Sequence, residues 1–208
     1  MKHLNTYITE YIVKKKLDKP IDSEHNYKYF PKTKEELVAN IKKLLSKGET
    51  SLNYIDTSNI IDMSNLFKTL NISINIDISE WDVSNVENME GMFYNYDIFN
   101  CDLSKWNVSK VKNMHSMFLN CKNFNSDLSK WDVSRVENMS NMFEGCKNFN
   151  SDLSKWDVSL VKNMNYMFYD CGNFNSDLSK WDVSNVEEMI GMFDGCKYLK
   201  QIPSWYHK

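Results

Sequence analysis

Apolar residues return along this chain at a constant step of 25 residues. Trp81, Trp106, Trp131, Trp156 and Trp181 hold one column. Val86 to Val186, Met89 to Met189, Met92 to Met192 and Phe93 to Phe193 hold four more, and Cys121, Cys146, Cys171 and Cys196 a sixth. A weaker copy with an offset of 26 precedes them (Ile55, Ile60, Met63, Phe67), and a degraded half-unit follows Phe174. Within one unit, Leu128, Trp131, Val133 and Val136 follow an L-x-x-L-x-L pattern. Trp131 and Val133 alternate with Lys130, Asp132 and Ser134, the period of two that predicts a short strand with those three polar residues outward. Val136, Met139, Met142, Phe143 and Cys146 then recur at three- and four-residue intervals, which predicts a helical segment of two to three turns. Ser134 is placed to cap it, with Glu137 three residues on. Asn148-Phe149-Asn150 turns the chain into the next unit.

One such unit cannot bury its own apolar face, so the units must stack into a continuous core with atypical ends. Neighbouring rungs about 4.8 Å apart would give a ladder about 25 Å long. The expected fold is α/β: a leucine-rich-repeat-like solenoid with one short strand and one short helical segment per repeat, under a helical N-terminal cap. Residues 51–208 form the repeats, about five full units with degenerate ends, and residues 1–50 the helical segment and cap. In that segment Asn5–Leu17 reads as an amphipathic helix. Thr33 with Glu36 reads as the capping box of a second helix, Lys34–Ser46, that Gly48 ends.

The unit S-D-L-S-K-W-D-V-S-x-V-x-N-M-x-x-M-F-x-x-C-x-N-F-N resembles the repeat of the BspA-like leucine-rich-repeat family, including the related repeats of mycoplasma lipoproteins. The resemblance covers residues 55–200. It implies a leucine-rich-repeat-type fold and, for many relatives, adhesion at the bacterial surface. Such repeats are also similar to ones carried by phage and mobile elements. No catalytic motif comes with the resemblance.

The bulk properties narrow the function without fixing it. A net charge of −3 over 208 residues gives no reason to expect a nucleic-acid partner. No apolar run reaches the roughly 20 residues of a membrane span. Met1–Leu17 mixes Lys2, His3, Glu10 and Lys14–Lys16 into its apolar residues, unlike a signal peptide, and no Cys near the start offers a lipid anchor. A cytoplasmic protein is expected. The Cys column, one thiol per unit on an apolar face, lacks zinc-site spacing and reads as buried small hydrophobes in a reducing compartment. Cys101, standing where other units have Ser126, Ser151 and Ser176, is expected to be the more exposed thiol. The four His are scattered and no nucleophile–base grouping or phosphate loop occurs, so no catalytic residue, metal or cofactor is expected.

Two sets of residues are candidates for binding. The first is an outward platform: a Lys row (Lys105, Lys130, Lys155, Lys180) beside an Asp row (Asp132, Asp157, Asp182) and a Ser row. It serves either as a repetitive polar surface for a glycan or another repeat, or as mutual neutralisation that keeps the face soluble. The second is a set of slots that vary between units while the core columns stay fixed. There Tyr94, Leu160, Tyr166, Tyr169 and Ile190 are apolar or aromatic where their counterparts are polar. They are either anchors for a partner or unconstrained surface. The leading expectation is an intracellular protein–protein interaction module. A surface adhesin or glycan-binding protein is the second, and a structural assembly component the third.

Overall fold

The computed structural model describes residues 26–207 except 69 and 71. The amphipathic stretch Asn5–Leu17 lies outside the described residues. Helix α1 spans Lys34–Leu45. The Thr33 hydroxyl accepts the Glu36 N–H at 3.2 Å, which satisfies a free donor of the first turn, and the Glu36 carboxylate reaches back to accept the Lys32 N–H just ahead of the cap at 2.7 Å. Leu37, Ile41 and Leu44 are buried and join the core of the repeats. The chain leaves the helix through Gly48 at φ +79°, a conformation open to glycine.

Beyond α1 the chain makes tight turns, stacked unit on unit. In the unit that contains Trp131, the Trp131 N–H reaches Leu128 O at 3.0 Å and the Val136 N–H reaches Val133 O at 2.9 Å. The predicted strand is therefore two consecutive turns. Asx bonds enforce them: Asp127 Oδ1 accepts the Ser129 N–H, and Asp132 Oδ1 accepts both the N–H and the hydroxyl of Ser134. Ser134 caps no helix; its hydroxyl is spent on Asp132.

Parallel pairing falls later, at Asn138, which bridges to Asn113 on one side and Asn163 on the other. From there alternate N–H groups leave the unit. Met139, Asn141, Phe143 and Gly145 donate to Asn163, Asn165, Met167 and Tyr169 of the next rung at 2.8–3.0 Å. The residues between them close local turns, Met142 N–H to Met139 O and Cys146 N–H to Phe143 O. This is where the apolar spacing predicts a helical segment, and the chain is not helical there. A helix needs each N–H for the carbonyl four residues back, whereas here every second one belongs to the neighbouring rung. Asn141 (φ 57°) and Gly145 (φ 72°) also sit in the left-handed region, which a right-handed helix cannot pass through. Turns every three residues place Val136, Met139, Met142, Phe143 and Cys146 inward just as a helix would.

The core is a pair of aromatic stacks. Phe93, Phe118, Phe143 and Phe168 lie with successive ring centroids 5.3–5.7 Å apart and planes within 6° of parallel. Phe99, Phe124, Phe149 and Phe174 form the second stack at 5.9–6.1 Å. Each pair within a rung closes to about 4.1 Å, as for Phe143 and Phe149. Offset stacking of this kind adds roughly 0.5–1.5 kcal/mol per pair beyond burial. Each Trp donates its indole N–H to the carbonyl of the Leu or Ile at the start of the preceding unit, Trp131 to Leu103 O at 3.0 Å for example. Every buried rung thus repeats the same polar accounts.

Candidate interaction surface

The outward rows are present but are not coupled as charge pairs. Lys105, Lys130, Lys155 and Lys180 are exposed, as are Asp132, Asp157 and Asp182. The Asp carboxylates are turned toward their own chain: Ser134, Ser159 and Ser184 each donate an N–H to them at 3.0–3.1 Å. The Ser134 hydroxyl and then its N–H hold the Asp132 carboxyl below the usual range. Among the described residues no ion pair joins this Lys row to this Asp row. Lys105 pairs instead with Glu80 of the preceding rung at 3.1 Å.

Charge is balanced along the stack rather than across it. Glu87, Lys112, Glu137, Lys162 and Glu187 occupy one column with alternating sign. Lys112 reaches Glu87 at 2.7 Å and Lys162 reaches Glu137 at 2.9 Å, each across one rung. The 25-residue step carries this alternation in plain view, and comparing signs down each column would have found it.

The variable slots divide. Tyr166, Tyr169 and Ile190 come together, exposed by 40, 41 and 66%. The two Tyr rings meet edge to face with centroids 5.8 Å apart. The Tyr166 N–H bonds Ile190 O at 2.8 Å, which sets Ile190 one rung beyond. Leu160, 51% exposed, is elsewhere, on the Val158–Val161 turn. Tyr94 is in the same column as Tyr169, three rungs earlier. It is half-buried, with the Lys68 ammonium 4.4 Å over its ring, so it is not an open anchor. The slots lie on or beside turns. Exposed Tyr198 and Ile202, absent from the sequence-based candidates, add apolar surface at the C-terminal end.

Tyr166 has an unusual backbone. Its column is otherwise Asn65, Gly91, Ser116, Asn141 and Gly191, all left-handed, and Tyr166 shares that conformation at φ 54°. Small or amide-bearing residues visit this region at low cost, whereas a bulky ring there is an outlier. The next rung makes room for it. A Cβ on Gly191 would lie 2.6 Å from Tyr166 Cε1, so the ring rests where only glycine permits it.

The thiols are structural. Cys121, Cys146, Cys171 and Cys196 each donate to the carbonyl of a Phe in the preceding rung at 2.8–3.0 Å. Burial pushes all four thiols up, Cys196 to about 12. Cys101 is more exposed than the fully buried Cys121, Cys146 and Cys171, as expected, but is itself buried and less exposed than half-buried Cys196; its sulfur takes the Ile78 N–H at 3.4 Å, and burial raises it to about 11. His115 is held between Ser140 and Ser116 through both ring nitrogens.

No helix among the described residues is long and apolar enough to cross a membrane. The family described as Mycoplasma protein of unknown function, DUF285, matches residues 34–146 and 120–208. No curated protein and no solved structure matches the chain.

Proposed function

Since this chain belongs to the DUF285 family, for which no activity is assigned, we propose from its surface that it is a protein-binding module of the leucine-rich-repeat, BspA-like kind. In this reading the stacked units are a solenoid that acts inside a cell and holds another protein against the Tyr166–Tyr169–Ile190 face. The observation that carries it is Tyr166. A large aromatic residue is held exposed in a conformation that costs of order 1–2 kcal/mol for a non-glycine residue, over a glycine that leaves it space. Strain of that kind persists where the surrounding structure fixes it, and exposed Tyr rings are effective anchors in interfaces. The row of reduced, buried thiols supports a reducing compartment.

A second reading, glycan binding, is favoured by one observation. Lys130, Lys155 and Lys180 stand exposed at one-rung intervals, a regular array for a regular polymer. The two readings use different surfaces, which makes them separable. Affinity capture from a native-host lysate is done with the full chain, with Tyr166→Ser/Tyr169→Ser, and with Lys130→Ser/Lys155→Ser, each checked for an unchanged thermal melt. A defined protein retained by the first and third but lost by the second supports the protein-binding reading. Binding of a polysaccharide fraction that only the Lys variant loses replaces it with the glycan reading.

A further inference from the structure

The rung ladder has a direction, and it stops at a row of donors. Interior rungs send alternate N–H groups toward the C-terminal end of the stack, as Met164, Tyr166, Phe168 and Asp170 do to Glu188, Ile190, Met192 and Asp194 at 2.7–3.0 Å. In the last rung the same register holds Met189, Gly191, Phe193 and Gly195. Among the described residues their N–H groups meet no acceptor. The backbone there keeps the left-handed pattern of the interior, with Gly191 at φ 62° and Gly195 at φ 81°. The apolar columns also surface at this end: Val183, Val186 and Met189 are half-buried, whereas Val158, Val161 and Met164 one rung earlier are buried. The final turns cover only the aromatic part, Trp205 stacking on Trp181 at 6.3 Å and Tyr206 meeting the Phe193 ring edge to face at 5.1 Å.

Charge says what fits beside this edge. The column of alternating sign, with Lys112 on Glu87 and Lys162 on Glu137, ends at Glu187, which has no ion pair among the described residues. The alternation puts Lys in the slot beyond it. With Glu187 and Glu188 at its start, the donor row suits carbonyls rather than a free anion. A second copy does not supply them. Its N-terminal end is covered by α1, where Lys34 Nζ reaches Ser64 Oγ at 2.7 Å and Leu37, Ile41 and Leu44 are buried against the core. Two C-terminal ends set face to face would oppose donors to donors.

We infer that the C-terminal end of the stack takes one further rung from a partner protein: a segment with the repeat's own spacing, Val-Lys-Asn-Met-x-x-Met-Phe, laid parallel on Met189–Gly195 with its Lys on Glu187. Alternate main-chain carbonyls of the segment accept the four N–H groups, and its apolar residues continue the Val and Met columns. An open ladder edge is a template for such addition, in which main-chain bonds give affinity and side chains give selectivity. This surface adjoins the Tyr166–Tyr169 face at Ile190 but does not rest on that face being a site.

The test uses the folded full chain with a reduced peptide of the sequence of residues 109–124, the same peptide carrying Lys112→Glu, and a scrambled peptide. Amide NMR and hydrogen exchange follow binding. Met189, Gly191, Phe193 and Gly195 should exchange fast in the free chain. With the first peptide they should show saturable shifts and slowed exchange, and with the scrambled one neither. The Glu peptide should bind about two- to fivefold more weakly, and Glu187→Lys, checked for an unchanged thermal melt, should reverse that order. Unslowed exchange at these amides with the repeat peptide, or equal slowing with the scrambled one, would overturn the inference. So would slowing by a rise in protein concentration alone, which assigns the end to a second copy, or by inorganic phosphate alone, which makes it an anion site. An unchanged peptide preference in Glu187→Lys would overturn the placement of the partner's Lys.

Discussion

Ser151 offers a quantitative test of how one rung is locked to the next. Its buried hydroxyl accepts the Leu128 N–H of the preceding rung at 2.8 Å, and Leu128 itself is fully buried. Ser126 and Ser176 do the same for Leu103 and Leu153. Changing Ser151 to Ala removes the acceptor and leaves the amide without water or protein to bond. An unsatisfied buried donor costs about 1–3 kcal/mol. At a urea dependence of about 2 kcal/mol per molar, a 2 kcal/mol loss lowers the unfolding midpoint by roughly 1 M. The repeat supplies its own control, because Cys101 fills this slot two units earlier and its sulfur takes the Ile78 N–H at 3.4 Å. Ser151→Cys should therefore cost clearly less than Ser151→Ala. The assay is urea unfolding followed by Trp fluorescence, with the slope checked for each variant because stacked repeats can lose cooperativity. Should Ser151→Ala lie within about 0.5 kcal/mol of the parent chain, or match Ser151→Cys, the accounting of inter-rung bonds is wrong.

Three further outcomes are expected. Gly191→Ala should destabilise by about 1–2 kcal/mol through its left-handed backbone, with an added loss from Tyr166 that disappears when Tyr166 is Ser; a double-mutant cycle by thermal melting measures the difference. The Ser129 and Ser134 donors depress the folded-state carboxyls of Asp127 and Asp132, so their contribution is complete above the unfolded Asp value of about 3.9 and is lost as pH falls through the lower folded values. Stability should hold from neutrality to about pH 4 and drop below it, with a smaller drop in Asp132→Asn. Alkylation at pH 8, read by mass spectrometry, should reach half-buried Cys196 before any other thiol, and modify Cys121, Cys146 and Cys171 only on unfolding; rapid labelling of Cys146 in the native protein would contradict the assignment of that column to the core.

Much of the chain was legible as written. The 25-residue step marks Trp131, Val136, Met139, Phe143 and Cys146 as inward-facing, and all are buried, because a side chain repeated in register has nowhere to go but a shared interior. Thr33 and Glu36 mark the start of α1 through short-range bonding that depends on sequence neighbours alone. The candidate face was legible only in part. Its Tyr and Ile residues differ from their counterparts, but the sequence ties neither Tyr166 to Ile190 nor Lys68 to Tyr94.

What the chain by itself determined is therefore periodicity, interior and helix start, all of which follow from local spacing. Only the tertiary structure decided the backbone between Val136 and Cys146, where inward spacing of three and four residues fits a helix and a series of turns equally. The choice depends on where the N–H groups find carbonyls, and Met139, Asn141, Phe143 and Gly145 find them 24 residues away. The left-handed Tyr166, the burial of Cys101 and the diversion of the Asp132 carboxylate to Ser134 follow from the same cause: hydrogen bonds and contacts that exist only once one rung lies on the next.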